Sequence, residues 1–145
     1  MTYQEFKKQR QEAYNTLPIK YAFSNEQFKE MLEEWGLTEK DIKKICKLGN
    51  TGGFYLKSDA PKIRAWFEAN SDDKLDKLMQ DEEFAIGAYY YEMCNHEYGI
   101  NMDGDWDVLR CFGKEKIEEL NENQLRFYKI ARKKYWKDAL KNEWF

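Results

Sequence analysis

The sequence predicts a mainly α fold: a single compact helical domain over residues 1–145, with a small β-hairpin or short strand near residues 47–57. Three observations carry that expectation. Helix-start signals recur, first as Thr2-x-x-Glu5 and again as Ser24-x-x-Gln27. In such a box the cap hydroxyl accepts from the backbone three residues on, and the Glu or Gln side chain reaches back. After each start, apolar residues return every three or four positions, which lines one face of a helix. One stretch breaks the pattern. Leu48-Gly49-Asn50-Thr51-Gly52-Gly53-Phe54-Tyr55-Leu56 sets three glycines and an Asn between apolar residues, as a tight hairpin or a glycine loop entering one strand does.

The elements follow in order. A first helix runs from Thr2 to about Tyr14. Leu17 to Phe23 is extended, because Pro18 keeps its predecessor out of helix space. The helix after Ser24 puts Phe28, Met31, Leu32 and Trp35 on one face, and Gly36 supplies the left-handed position at its end. Thr38 caps a short helix carrying Ile42, Ile45 and Cys46. Asp59 and Pro61 open another, with Ile63, Trp66 and Phe67 inward. Ser71 or Asp72 starts a short helix to Met79. Asp81, Glu82 and Glu83 favour the positive end of a helix running to about Tyr98 and stopped by Gly99. After the Asn101–Asp105 turn, Asp105 caps a short helix with Trp106, Leu109 and Phe112, ended by Gly113. A helix over Glu115–Leu120 precedes a long C-terminal helix capped by Asn121 or Asn123, whose apolar stripe is Leu125, Tyr128, Trp136, Ala139 and Leu140.

Composition excludes several classes. A chain of 145 residues that is 17% aromatic can bury one core, and 35% charged residues leave a well-solvated surface. No run of about 18 apolar residues is present, so no membrane span is expected. The N-terminus lacks the apolar core of a signal peptide. Cys46, Cys94 and Cys111 are odd in number and form no C-x-x-C pair, which points to buried thiols in a reducing cytoplasm.

The net charge of −3 conceals two opposed regions. Residues 68–107 hold twelve acids and two lysines, a balance of −10, whereas residues 124–145 hold seven Lys/Arg and two acids, a balance of +5. Either the two regions pack near one another, or each faces a partner of opposite charge. The acids that would form a partner-binding face are Asp72, Asp73, Asp76, Asp81, Glu82, Glu83, Asp103 and Asp105. On the last helix Arg126, Lys133, Lys137 and Lys141 share one flank and could touch phosphates. The terminal Trp144-Phe145 is either a core anchor or an exposed contact.

Chemistry-bearing residues gather in Tyr89–Tyr98, which includes the only histidine. On a helix, Phe84, Ala88, Tyr91, Asn95 and Tyr98 share a stripe, so the segment reads as a central helix with Asn95 as a buried, hydrogen-bonded anchor and Gly87 admitting a close neighbour. Glu92 and His96 stand four apart on one face. They form a structural hydrogen bond, orient an imidazole for acid–base work, or offer two metal ligands. A catalytic zinc needs a third protein ligand, which Asp103, Asp105 or Cys94 would have to bring by tertiary contact. Glu92, Asn95 and His96 are therefore a candidate polar cluster, with no metal, cofactor or catalytic residue assigned. Asp103-Gly104-Asp105 fails the EF-hand test, since Val108 falls where the glycine is required and Lys114 where the Glu is. The Gly49–Gly53 loop lacks the phosphate-binding G-x-x-x-x-G-K-[ST] pattern. No nucleophile elbow, triad or dinucleotide fingerprint occurs. Residues 24–57 have the element order of a winged helix-turn-helix, with Lys40, Lys43, Lys44, Lys47 and Lys57, but their two helices are net acidic and carry no Arg to read guanine.

Tyr21-Ala22-Phe23-Ser24-Asn25-Glu26-Gln27-Phe28, Gly52-Gly53-Phe54, Tyr91-Glu92-x-x-Asn95-His96-Glu97-Tyr98 and Asp107-Val108-Leu109-x-x-Phe112-Gly113, with the basic final helix, resemble a family of small uncharacterised proteins. These are encoded by phages and mobile elements of low-GC Gram-positive bacteria. The resemblance spans nearly the whole chain and supplies no reaction. It implies an accessory protein in the host cytoplasm that binds and inhibits host or defence machinery, of the anti-CRISPR kind, its acidic surface filling a basic groove. The alternative is a nucleic-acid-binding accessory protein using the 24–57 unit or the C-terminal helix.

Overall fold

A computed structural model describes residues 1–144 and has the predicted mainly α architecture with a small antiparallel sheet. Phe145 lies outside the described residues, so only Trp144 of the terminal pair can be placed; it is part-exposed, with its ring 5.6 Å from that of Tyr135. No described helix is long and apolar enough to cross a membrane. The chain forms two compact units, one from Met1–Gln11 with the chain from Asn70 on, the other from Glu12–Ala69. Helix α1 (Tyr3–Asn15) contributes to both. Its start is the expected box, in which Glu5 N donates to Thr2 Oγ1 at 3.1 Å and Thr2 N to Glu5 Oε2 at 2.8 Å.

The second unit holds strand β1 (Lys20–Tyr21), helix α2 (Asn25–Glu34), strands β2 (Ile45–Leu48) and β3 (Gly53–Leu56), and helix α3 (Ala60–Ala69). The hairpin forms as read, and β1 adds a third strand in the order β1-β3-β2, with Lys20 opposite Phe54 and Ile45 opposite Leu56. Gly52 sits at φ +80°, and a Cβ there would collide with the Phe23 ring, so the loop requires glycine. Met31, Leu32 and Ile63 are buried, and Phe28 meets Phe54 edge-on at 5.3 Å. Two expectations fail here. Ile45 and Cys46 belong to β2 rather than to a helix, and Ile42 is exposed. The segment Glu39–Lys44, capped by Thr38 as expected, is a six-residue 3-10 helix. It spans only about 12 Å. The winged helix-turn-helix therefore lacks its second α-helix.

The first unit packs α4 (Asp72–Leu78), α5 (Glu82–Asn95), α6 (Gly104–Arg110) and α7 (Glu122–Lys141) with the start of α1. Its core joins Tyr3 and Phe6 to Phe84, Tyr89, Met93, Leu109, Phe112 and Tyr128, with Tyr89 ringed edge-on by Phe112 and Tyr128. The inner face of α5 is Phe84, Ala85, Ala88, Tyr89, Glu92 and Met93, one step round from the predicted stripe. Asn95 is consequently exposed, not a buried anchor, and nothing lies within 4 Å of a Cβ built on Gly87, so no neighbour approaches it closely. Cys94 is exposed too, contrary to the expectation of buried thiols. On α7 the buried stripe is Phe127, Tyr128, Ala131, Tyr135 and Ala139, leaving Trp136 and Leu140 exposed. Residues 115–120 form only a 3-10 turn at Ile117–Glu119. Asn121 and Gln124 complete the capping box that opens α7.

Helix ends place the site. Gly36 and Gly113 take positive φ after α2 and α6 as expected. The α5 helix stops earlier than Gly99, at Asn95, because Glu97 adopts φ +50°. Tyr98 N donates to Met93 O at 3.0 Å and Glu97 N to Cys94 O at 3.4 Å, the paired bonds of a Schellman ending, with glutamate where glycine is usual. An L-residue there costs about 1 kcal/mol relative to glycine.

Candidate functional site

Glu92 is 2% exposed and is the one buried charged residue among those described. Burying a carboxylate is costly unless it is paired and hydrogen-bonded. Three residues from three elements meet it. Lys7 Nζ of α1 lies 3.2 Å from Oε1. The Cys111 thiol, just past the end of α6, donates to Oε2 at 2.8 Å. His96 Nε2, one turn on along α5, is 3.6 Å from the same oxygen. Cys111 Sγ is also 3.6 Å from His96 Nε2 and 3.4 Å from Asp107 O. The three donor atoms of Glu92, His96 and Cys111 thus lie within 4.8 Å of one another.

The turn after α5 builds this cluster. Asn101 Nδ2 donates to His96 O at 3.0 Å and to Asp107 Oδ2 at 2.8 Å, pinning the end of α5 to α6. That sets Cys111 opposite the 92/96 face. Burial, with Glu92 next, pushes the Cys111 thiol from 9.0 up to about 12. Tyr3, whose ring stacks against Lys7 at 5.4 Å, is raised by burial and then by the charge of Glu92.

Chemically, the arrangement does not suit a thiolate nucleophile. A Cys-His-acid relay has the acid on the imidazole nitrogen remote from sulfur. Here Glu92 and Cys111 face the same nitrogen, and the thiol holds its proton. All three donors converge on one point, as metal ligands do.

The chain belongs to a family of unknown function, DUF7659. The family model matches residues 2–137. No curated protein and no solved structure matches it.

The other candidate residues of this DUF7659 member fall into separate groups. Asp105, expected to cap α6, lies inside that helix and accepts the Tyr98 hydroxyl at 2.7 Å and the Tyr128 hydroxyl at 2.5 Å. Both phenols are pushed up, first by burial and then by that carboxylate. Asp105 is therefore engaged within the fold. Asp103 occupies the cap position instead, exposed and without a capping bond from its side chain. Asp81 caps α5 by accepting from Phe84 N at 2.9 Å. Asp72, Asp73, Asp76 and Glu83 are exposed. Glu82 pairs with Arg126 at 3.3 Å, and Tyr90 Oη donates to Asp138 at 2.6 Å, so the acidic and basic regions do pack together along α5 and α7. Lys133, Lys137 and Lys141 remain exposed.

Sequence reasoning paired Glu92 with His96 but missed Cys111 and Lys7. One signal was available: Glu92 is an acid within the inner face of an otherwise apolar helix, and a buried acid needs partners.

Proposed function

We propose that this is an accessory protein of a phage or mobile element that works in the host cytoplasm by binding, inhibiting a host or defence protein of the anti-CRISPR kind through an acidic surface. One observation carries it: Asp72, Asp73, Asp76 and Glu83 stand exposed, and none forms an ion pair among the described residues. Exposed carboxylates can replace phosphates opposite Lys and Arg in a groove built for nucleic acid.

The test is binding to a CRISPR nuclease with and without its guide RNA, using wild type and a Lys variant of Asp72, Asp73, Asp76 and Glu83. Binding to the RNA-free nuclease, lost on charge reversal and weakened by salt, is the expected result. Equal binding by the reversed variant removes the acidic face from the mechanism.

Nucleic-acid binding is the second proposal, and the exposed Lys133, Lys137 and Lys141 of α7 favour it over the 24–57 unit, whose second helix is only a 3-10 turn. It requires affinity for duplex DNA that falls steeply with salt. Unchanged binding after all three lysines become Glu would eliminate it.

A further inference from the structure

We infer that Glu92, His96 and Cys111 form a zinc site with three protein ligands and a fourth position turned to solvent. The first ground is convergence. Cys111 Sγ, His96 Nε2 and Glu92 Oε2 all face one another, at 3.6 Å for sulfur to nitrogen, 3.6 Å for nitrogen to oxygen and 2.8 Å for sulfur to oxygen. Tetrahedral zinc with ordinary Zn–S, Zn–N and Zn–O bonds sets its ligands about 3.3–3.6 Å apart. Two of the three edges already have that length. The third is shortened by the S–H···O bond, and it opens once the proton between the two atoms is replaced by the ion.

The second ground is the donor set. Thiolate and imidazole together favour zinc over magnesium or calcium, which take oxygen ligands. A thiolate and a carboxylate match the double charge of the ion. The exchange balances: Zn²⁺ forms bonds to sulfur, nitrogen and oxygen, and the Cys111 S–H bond breaks, releasing its proton to solvent.

The third ground is the surrounding support. Lys7 Nζ holds Oε1 at 3.2 Å, which leaves Oε2 for the metal. Asn101 fixes the backbone of His96 at 3.0 Å, and Glu92 lies in the last turn of α5, which His96 caps. The His96 side chain is 26% exposed, so the cluster opens to solvent on that side while Glu92 closes it from beneath. Metal sites depend on such outer contacts to orient their ligands.

The experiment uses the full-length protein, stripped with chelator and titrated with zinc alone by calorimetry and with cobalt(II) by absorption. Wild type should bind one ion per chain, with a thiolate-to-cobalt charge-transfer band and the strong visible absorption of a tetrahedral centre. Cys111→Ser should abolish the charge-transfer band and weaken zinc binding at least about tenfold. His96→Gln, at a partly exposed position, should weaken zinc binding to a similar degree, with circular dichroism reporting that it is folded. Cys94→Ser, which alters an exposed thiol outside the cluster, should bind as wild type does. Absence of stoichiometric binding by folded wild type would overturn the site, as would a cobalt–thiolate band that survives Cys111→Ser or disappears in Cys94→Ser.

Discussion

Two carboxylates of the same unit, Glu92 and Asp105, are held by opposite kinds of partner. Asp105 takes hydrogen bonds from two phenols, Tyr98 and Tyr128, both raised by burial and then by that carboxylate. Those hydroxyls keep their protons at any physiological pH, so the cluster can only hold helices together. Glu92 instead meets an ammonium, a thiol and an imidazole, and the sulfur and ring nitrogen are donor atoms of the kind that ligate a metal. An anchor and a site are thereby told apart. Burial of an acid is common to both, and the chemistry of its neighbours decides which it is.

Removing the anchor should have the largest effect. Asp105→Ala leaves the buried Tyr128 hydroxyl and the half-buried Tyr98 hydroxyl without their acceptor, and is expected to cost about 3 kcal/mol in urea unfolding. Glu92→Gln should cost less, about 2 kcal/mol, because Lys7 is half exposed and can return to water. Its distinguishing readout is alkylation of Cys111 against pH: burial keeps the thiol raised, while losing the Glu92 carboxylate should remove the smaller part of the shift that it causes. If Asp105→Ala proves harmless and Glu92→Gln unfolds the chain, the assignments of anchor and site are reversed.

A pH series sharpens the same contrast. The folded chain holds the Cys111 proton up to about 12, against 9.0 for an ordinary thiol. As pH rises past 9, the unfolded chain gives up that proton first, so this contribution is present in full below pH 9 and is lost progressively toward 12. Comparing urea midpoints at pH 7 and pH 10, Cys111→Ala should reduce the alkaline loss by at most about 1 kcal/mol, given solvent screening at a half-buried thiol. Tyr89, raised to about 12 by burial, should leave part of the loss in place. The smallest effects are gains of stability away from both clusters. Glu97→Gly should relieve the positive φ at the end of α5, and Gly87→Ala should fill open space in mid-helix. Each should raise stability by about 0.5–1 kcal/mol in thermal melts.

Local chemistry was legible in the sequence and distant meetings were not. Thr2 with Glu5, Asn121 with Gln124, and the turns at Gly36 and Gly113 follow from residues within a few positions of one another. The spacing of Glu92 and His96 likewise put them on one face. The approach of Cys111 depends on where α5 stops. Gly99 was the conformationally natural stop, whereas tertiary packing imposes the left-handed turn on Glu97 and pairs the Tyr98 hydroxyl with Asp105. The buried stripes of α5 and α7 were displaced for a related reason. Tyrosines and tryptophans can serve either core or rim, so periodicity alone did not say which aromatic faces inward.

The first unit is discontinuous in sequence, and this gives its assembly a direction. Residues 12–69 are synthesised between its two parts, so Tyr3, Phe6 and Lys7 must wait until Phe84, Glu92 and Phe112 have left the ribosome. The closure is long in chain terms and therefore slow relative to the local helices and hairpin. The cluster around Glu92, drawing on both ends of that closure, completes only when the first unit does.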